Sequence, residues 1–442
     1  MSERNVVAKA LASAFLAAPW TRAGLVANGA EAVGGRFPWL VPLARSTLRF
    51  FPRPPHDRLE LLAEILATRP ALKQACANPA APVRVVRWLT AEPQMGRQPW
   101  PVPALPTEAE LAAWLGVTDA QLGWLADGPG LEHTTPPGRW RRYRYHWIPK
   151  RSGGERLLEQ PGDELARLQR KVLHGILDRI PPHEAAHGFV KGRGIRGFVE
   201  PHTGQAVVVR LDLEDFFLSV RPPRLWGVFR AAGYPDGVAG ALVGLCTNRT
   251  PGAVVAKARK PTHAQEVQSR WLLARRLGAR HLPQGAPTSP ALANLAAYGL
   301  DVRLSALAAA LGLRYTRYAD DLAFSGDAAR PGSIRRLLRS VRRIARDEGF
   351  TVREDKTRVM SQGHQQWLAG VVVNEHPSIR RADYDRLKAV LHLCRTRGPA
   401  SQNTAGHSDF RSHLLGRIAW VTHLHPARGA RLRALFDQIA WD

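Results

Sequence analysis

The sequence predicts an α+β protein in which one sheet, a split β-α-β unit of the ferredoxin-like kind, lies between helical segments. Three observations predict it. Between residues 206 and 353 the pattern runs strand, helix, strand, strand, helix, strand. Up to Ala126 and again from Arg381, apolar residues recur at helical spacing, punctuated by Pro and Gly. With 442 residues, 45% hydrophobic and 23% charged, the chain can build two or three folded units. That composition excludes wholesale disorder and fibrous architectures. No apolar run approaches the roughly eighteen residues of a membrane-spanning helix.

Residues 1–20 carry Arg4 and Lys9 ahead of an Ala-rich run. Leu11, Phe15 and Leu16 sit there at helical spacing, so an amphipathic first helix is expected rather than a leader. Leu59, Leu62, Ile65 and Leu66 share one face of a helix over 57–77. Prolines 93, 99, 101, 103 and 106 mark a linker. Thr107 with Glu110 forms a capping box for a helix to Leu115, and a Gly116–Thr118 turn leads to a second helix over 119–126. That second helix lacks Arg and Lys, so the pair reads as a packing hairpin rather than a DNA reader.

From Tyr143 the period becomes two. Strands at 143–149 and 156–159 flank a basic, Gly-rich tip, Lys150-Arg-Ser-Gly-Gly-Glu155. A helix over 164–180, a basic Gly-broken loop over 187–194 and a buried-type strand over 206–213 follow. A helix from Pro287 to Leu311 precedes strands at 313–317 and 322–325, joined by a tight acidic turn. An amphipathic basic helix over 333–348 and a last strand at 350–353 complete the split unit.

The formal net charge is +26. A genome bias towards Arg codons explains the choice of Arg over Lys but not the shortage of acids, so a polyanionic partner, nucleic acid first, is expected. Cys76, Cys246 and Cys394 are scattered, which argues against a disulfide framework or zinc site and fits the reducing cytoplasm.

The chemistry concentrates at Tyr318-Ala319-Asp320-Asp321. Adjacent carboxylates at a tight turn repel each other, and a divalent cation is the natural reason to keep them. The apolar strand Val207-Val-Val-Arg-Leu-Asp212 ends in a further acid. In a split unit the first strand lies beside the central hairpin, so Asp212 should face Asp320 and Asp321. Three converging carboxylates suit two metal ions about 3.5–4 Å apart, which clamp the attacking and leaving oxygens of an in-line phosphoryl transfer.

From residue 139 onwards these motifs resemble bacterial retron-type reverse transcriptases. Tyr318-Ala319-Asp320-Asp321 is similar to the family's Y-x-D-D hairpin, and Asp212 to its first-strand aspartate. Leu282-Pro283-Gln284-Gly285 through Pro290 is similar to the segment under the incoming nucleotide. Ala186-His187-Gly188-Phe189 with Gly192-Arg193 resembles the loop along the template, and Gly349-Phe350 to Lys356-Thr357 a later strand and its lysine. Gly416-Arg417-Ile418-Ala419-Trp420-Val421 resembles the thumb helix. Two segments differ from the retron pattern. Phe198-Val199-Glu200-Pro201-His202 keeps only the His of Asn-Ala-x-x-His, and Leu368-Ala369-Gly370 keeps only the Gly of Val-Thr-Gly.

The resemblance implies a right-hand polymerase: an N-terminal helical extension over 1–138, fingers over 139–205, a palm with insertions over 206–375 and a thumb over 376–442. It implies two Mg2+ ions held by Asp212, Asp320 and Asp321, with dNTP substrates. Lys150 and Arg156 would hold the β- and γ-phosphates, Asp215 would position the triphosphate, and Gln284 and Gly285 would pack beneath the nucleotide. Gly285 would permit close backbone approach. Phe217, five residues after Asp212, would exclude a 2′-hydroxyl, while strand alternation sends Phe216 into the core. Lys191, Arg193, His202, Lys356, Gly370 and Arg417 would contact RNA or template. An Arg-rich C-terminal stretch (Arg380, Arg381, Arg386, Lys388, Arg395, Arg397, Arg411, Arg417, Arg428, Arg431, Arg433) would carry a structured non-coding RNA. The expected product is RNA-linked multicopy single-stranded DNA, in antiphage defence, with an effector or toxin protein as a further partner and no membrane. The alternatives are another bacterial reverse transcriptase class (group II intron-like, diversity-generating or abortive-infection) and a non-catalytic RNA-binding scaffold.

Overall fold

Proline, glycine and side-chain caps cut the start of the chain into short helices: α1 (Glu3–Leu16), α2 (Arg22–Val33), α3 (Leu40–Phe50), α4 (Leu59–Thr68) and α5 (Pro70–Ala77). The Thr21 hydroxyl accepts the Gly24 N–H at 3.1 Å to start α2, and Gly34 at φ 74° ends it. The single helix expected over 57–77 is two, because Pro70 has no N–H to donate and occupies the first turn of α5. Leu11, Phe15, Leu25, Leu40, Leu43, Leu62 and Leu72 form the fully buried core of this unit, residues 1–95. This computed structural model describes residues 3–441 except 53, 56–58, 91–92, 129, 137, 139, 151–153, 260–262 and 327–331. The start of the 57–77 helix and the tip of the basic hairpin therefore lie outside the described residues.

Residues 96–442 form a second unit. In chain order it holds α6 (Glu108–Leu115), α7 (Asp119–Leu125), β1 (Tyr143–Pro149), β2 (Glu155–Pro161), α8 (Asp163–Gly175), α9 (Ile195–Val199), β3 (Val207–Asp212), α10 (Phe216–Ser219), α11 (Pro222–Ala231) and α12 (Asp236–Cys246). It continues with α13 (Gly252–Val255), α14 (Ala264–Leu277), α15 (Ser289–Ala296), α16 (Tyr298–Ala310), β4 (Arg314–Tyr318), β5 (Asp321–Gly326), α17 (Ser333–Asp347) and β6 (Arg358–Ser361). The small hairpin β7 (Trp367–Leu368) and β8 (Val371–Val372) precedes α18 (Arg381–Arg397), α19 (Phe410–Leu424) and α20 (Pro426–Phe436). The capping box of Thr107 and Glu110 is formed, and α6 and α7 both pack on α12.

The sheet order is β4-β5-β3-β6, all antiparallel, which is the split unit. Two expectations change. The helix over 287–311 is broken at Ala297 into α15 and α16. The segment 350–353 is not the fourth strand. It only bridges the end of β3, through Val352 opposite Leu213 and the Arg353 N–H donating to the Asp212 carbonyl at 2.7 Å. A 3-10 turn at Glu354–Lys356 then interrupts the pairing, and β6 resumes it opposite Val207–Arg210.

Beneath the acidic turn lies a buried ion pair. Arg317 on β4 is fully buried and forks onto Asp301 of α16, Nε to Oδ1 at 2.8 Å and Nη2 to Oδ2 at 2.6 Å. Its Nη1 donates to Asn294 Oδ1 at 2.9 Å and to the Ala319 carbonyl at 3.1 Å. Burial opposes the charge, but Asp301 outweighs it and holds the Arg317 pKa above its ordinary value. Asp301→Ala leaves a buried guanidinium without its counter-ion and should cost about 3–5 kcal/mol in denaturant unfolding. Adding Arg317→Met should recover most of that loss. A single-variant cost below about 1 kcal/mol would show that water or another group compensates Arg317.

Candidate active site

Register brings the carboxylates together. Asp212 at the end of β3 is directly opposite Asp321 at the start of β5, so both side chains share one sheet face. The Leu213 N–H donates to the Asp320 carbonyl at 2.9 Å, closing the turn against β3. Ala319 takes the left-handed conformation (φ 55°) that lets so short a turn carry two consecutive acids.

Each acid has a different environment. Asp212 accepts a hydrogen bond from Lys356 Nζ at 2.8 Å, with Arg353 Nε at 3.9 Å. Asp321 Oδ1 is gripped by Arg210 through Nε at 2.8 Å and Nη2 at 2.7 Å. Arg210 lies over the Trp367 ring at 4.6 Å, and Arg380 over the same ring at 5.5 Å. Asp320 has no ion pair among the described residues; burial, then Asp321 and Asp212, push its pKa up to about 6. Burial also raises Asp321 against the opposing pull of Arg210. Among the described residues no three His, Cys, Asp or Glu side chains form a ready-made metal cage. The donors nevertheless fit Mg2+, which takes hard carboxylate oxygens and needs only one or two of them alongside substrate phosphates. A buried carboxylate beside two further acids is a site short of positive charge.

Beside the acids is a cavity of about 680 Å³ whose walls include Lys150, Arg156, Asp215, Phe217 and Gln284. Burial lowers the Lys150 pKa, with Asp215 pulling the other way. Asp215, at φ 46°, makes no cap bond to α10; its carboxylate meets Arg276 of α14 at 2.5 Å. Phe217 is half-buried, 6.1 Å from the ring of Phe189. Phe216 is buried against Phe350 at 5.6 Å.

Several expected contacts lie elsewhere. Gly285 (φ 121°) makes its close approach to β2: a Cβ there would stand 2.9 Å from Leu158 Cδ1 and 3.0 Å from the Glu159 carbonyl. Lys356 bonds Asp212 while part-exposed on the cavity wall. Arg193 donates to the carbonyls of His183, Glu184 and Ala186 at 2.8–3.0 Å and so shapes its own loop, while Lys191 is exposed beside it. His202 is fully buried and cannot reach RNA. Its Nδ1 meets Ser325 Oγ at 2.7 Å and its Nε2 meets Thr316 Oγ1 at 2.8 Å. Because the Thr316 hydroxyl spends its proton on the Phe198 carbonyl, Nε2 is the protonated nitrogen. Gly370 is exposed at φ 85° in the β7–β8 turn, and Arg417 lies part-exposed on α19. In the C-terminal stretch Arg428 bonds Ser378, Arg433 bonds Asp437 and Arg395 bonds Gln438, so part of that charge is used within the chain.

Sequence reasoning missed Arg210, Arg276, Asp301 and Arg317. Only Arg210 carried a signal, because it lies two residues before Asp212 and hence on the same sheet face. It also missed Glu159, fully buried and bonded to His281, Asn248 and Thr250 at 2.7–2.9 Å. The Glu159 N–H donates to the Gln284 carbonyl at 2.7 Å, tying β2 to the cavity wall.

A split antiparallel sheet that gathers acids at one end, beside a cavity walled by cations, is the frame of a phosphoryl-transfer enzyme. The reverse transcriptase (RNA-dependent DNA polymerase) family profile matches residues 148–380. Retron Mx65 reverse transcriptase of Myxococcus xanthus is 38% identical over 347 residues, 78% of this chain and 74% of that protein. Retron Mx162 reverse transcriptase of the same organism is 36% identical, over 74% of this chain and 66% of that protein. Retron Ec86 reverse transcriptase of Escherichia coli is 31% identical, over 57% and 69%. Among solved structures, a foamy viral protease-reverse transcriptase in complex with double-stranded DNA aligns over 80% of this chain and 48% of that chain, with 15% identity and a TM-score of 0.37. The chain therefore belongs to the reverse transcriptase family, in its bacterial retron branch, and is an RNA-directed DNA polymerase. No helix among the described residues is long and apolar enough to cross a membrane.

Burial pushes the His202 pKa down to about 3, from about 6.5 in an unfolded chain. A depressed pKa means stability that is present above about pH 6.5 and lost as pH falls towards 3. Between pH 7 and pH 5 unfolding free energy should drop by about 2 kcal/mol more in the wild type than in His202→Gln. Parallel pH dependences in the two proteins would show that His202 is not the group responsible.

Proposed function

We propose that the chain copies a structured non-coding RNA into RNA-linked multicopy single-stranded DNA, in antiphage defence, by two-Mg2+ nucleotidyl transfer. Residues 139–205, 206–375 and 376–442 would serve as fingers, palm and thumb, with 1–138 as an extension. The observation that carries the mechanism is the meeting of Asp212, Asp320 and Asp321 at one sheet end beside the cavity.

Asp212 and Asp320 would hold the ions, with Asp321, already steadied by Arg210, completing the acidic set. Bound Mg2+ would lower the pKa of the primer 3′-hydroxyl and neutralise the departing pyrophosphate. Lys150 and Arg156 would hold the β- and γ-phosphates by charge-assisted hydrogen bonds, and Gln284 would lie beneath the base. The Asp215–Arg276 pair orders the backbone where the triphosphate would sit. Phe217, half-buried on the cavity wall, would fill the space that a 2′-hydroxyl needs.

Asp320→Asn should lower primer extension with Mg2+ and dNTPs by at least about 100-fold, because two-metal transfer needs both ions. It should leave RNA binding intact and raise the melting temperature slightly, since a strained buried charge is removed. Wild-type extension by that variant would overturn the assignment. Phe217→Val should raise ribonucleotide incorporation relative to deoxynucleotide, with a modest loss of dNTP activity. Phe216→Val should cost on the order of 1–4 kcal/mol of stability through a core cavity and leave sugar choice unchanged. Exchange of these two phenotypes would reverse the assignment of the rings.

A further inference from the structure

Helix α17 places six arginines in fifteen residues. Leu337, Val341, Ile344 and Ala345 face inward and are buried. Arg342 is forked onto Glu354 at 2.7 and 2.6 Å. Arg335, Arg336, Arg339, Arg343 and Arg346 point outward and are exposed, and among the described residues their side chains make no ion pair, hydrogen bond or ring contact. Three acids close by are already committed: Asp347 to Arg303, Glu348 to Arg303 and Arg224, and Glu354 to Arg342. Among the described residues no acid is paired with any of these five arginines.

A helix face that needed only solubility would interleave Glu with Lys or Arg. Like charges three and four residues apart weaken a helix instead. Arg335, Arg339, Arg343 and Arg346 form one stripe with steps of about 4.5–6 Å at 1.5 Å rise per residue. That spacing is comparable to the separation of neighbouring phosphates on a nucleic-acid strand. The stripe has no aromatic ring on which unpaired bases could stack, which favours the backbone of a duplex over single-stranded RNA. The helix itself carries no large exposed apolar residue, so a lipid surface fits less well.

Its place in the fold separates it from the carboxylates. Tyr315 and Phe324 stack on the sheet face opposite Asp321, Asp301 of α16 bonds the Tyr315 hydroxyl there at 2.8 Å, and α17 packs on α16. We propose that the outer face of α17 docks the phosphate backbone of a double-helical RNA segment that is not the strand being copied. The proposal rests on the polymerase reading above and adds a second RNA site to it.

The test is full-length protein carrying Arg335→Gln, Arg339→Gln, Arg343→Gln and Arg346→Gln, with circular dichroism and melting to confirm the fold. Fluorescence anisotropy with an RNA hairpin duplex and with an unstructured single strand, across a salt series, reads binding. Extension of a short DNA primer pre-annealed to RNA, at saturating hybrid, reads catalysis. Duplex affinity should fall on the order of 10–100-fold near physiological salt. The slope of log affinity against log salt should shrink by about 3.6, at about 0.9 for each of the four phosphates no longer neutralised. Extension and single-strand binding should change little. An unchanged duplex slope, or an equal loss on the single strand, would overturn the proposal. A wild-type protein that failed to extend primers would instead count against the polymerase reading and leave the binding result standing.

Discussion

The acidic turn depends on one buried guanidinium. Arg317 holds Asp301 and Asn294 on one side and the Ala319 carbonyl on the other, so the turn that presents Asp320 and Asp321 is anchored to α15 and α16 from below. Asn294 passes the constraint on by donating to the Gly188 carbonyl at 2.8 Å, and the Arg317 backbone pairs with Ala185 and His187. Gly188 has to be glycine for the same reason: a Cβ there would stand 2.7 Å from the Ala319 nitrogen. A buried ion pair is weak evidence of net stability but strong evidence of specified geometry, since few arrangements satisfy a guanidinium away from water.

Around that anchor the site is a balance of charge. Asp212 is met by Lys356, Asp321 by Arg210, and Asp215 by Arg276. Asp320 alone of these acids has no ion pair among the described residues, and burial together with Asp321 and Asp212 raises its pKa. The wider chain is imbalanced in the opposite sense, with a net charge of +26 that polymerisation on nucleic acid accounts for. That surplus is unevenly available. Arginines of the C-terminal helices are partly satisfied by neighbours within the chain, whereas the outer stripe of α17 has no partner among the described residues.

Local patterns made the sheet legible. Short apolar runs gave β3 and β5, and parity along each strand made Asp212 and Asp321 neighbours once the strand order followed from the split unit. The fourth strand was misplaced, because 350–353 is as apolar as a strand yet is cut off from β6 by the Glu354–Lys356 turn. His202 shows the limit of motif reading. Its type and position suggested an RNA contact, and packing made it a neutral, buried tie between Thr316 and Ser325. Gly285 shows the same in backbone form, since the surface it must approach is β2, distant in sequence.

The amino-acid sequence by itself determined most of the helical and strand segments, the acidic turn, the basic surplus and the family, because these reside in spacing, composition and short motifs. Tertiary structure alone decided which cation neutralises which carboxylate, that Arg317 supports the turn, that Glu159 joins β2 to the Gln284 segment, and which arginines have no partner among the described residues. Those pairings join residues as much as 144 positions apart, as between Lys356 and Asp212. No local pattern encodes them, because what selects a partner is the desolvation penalty of a buried charge, and that exists only once the chain has closed around it.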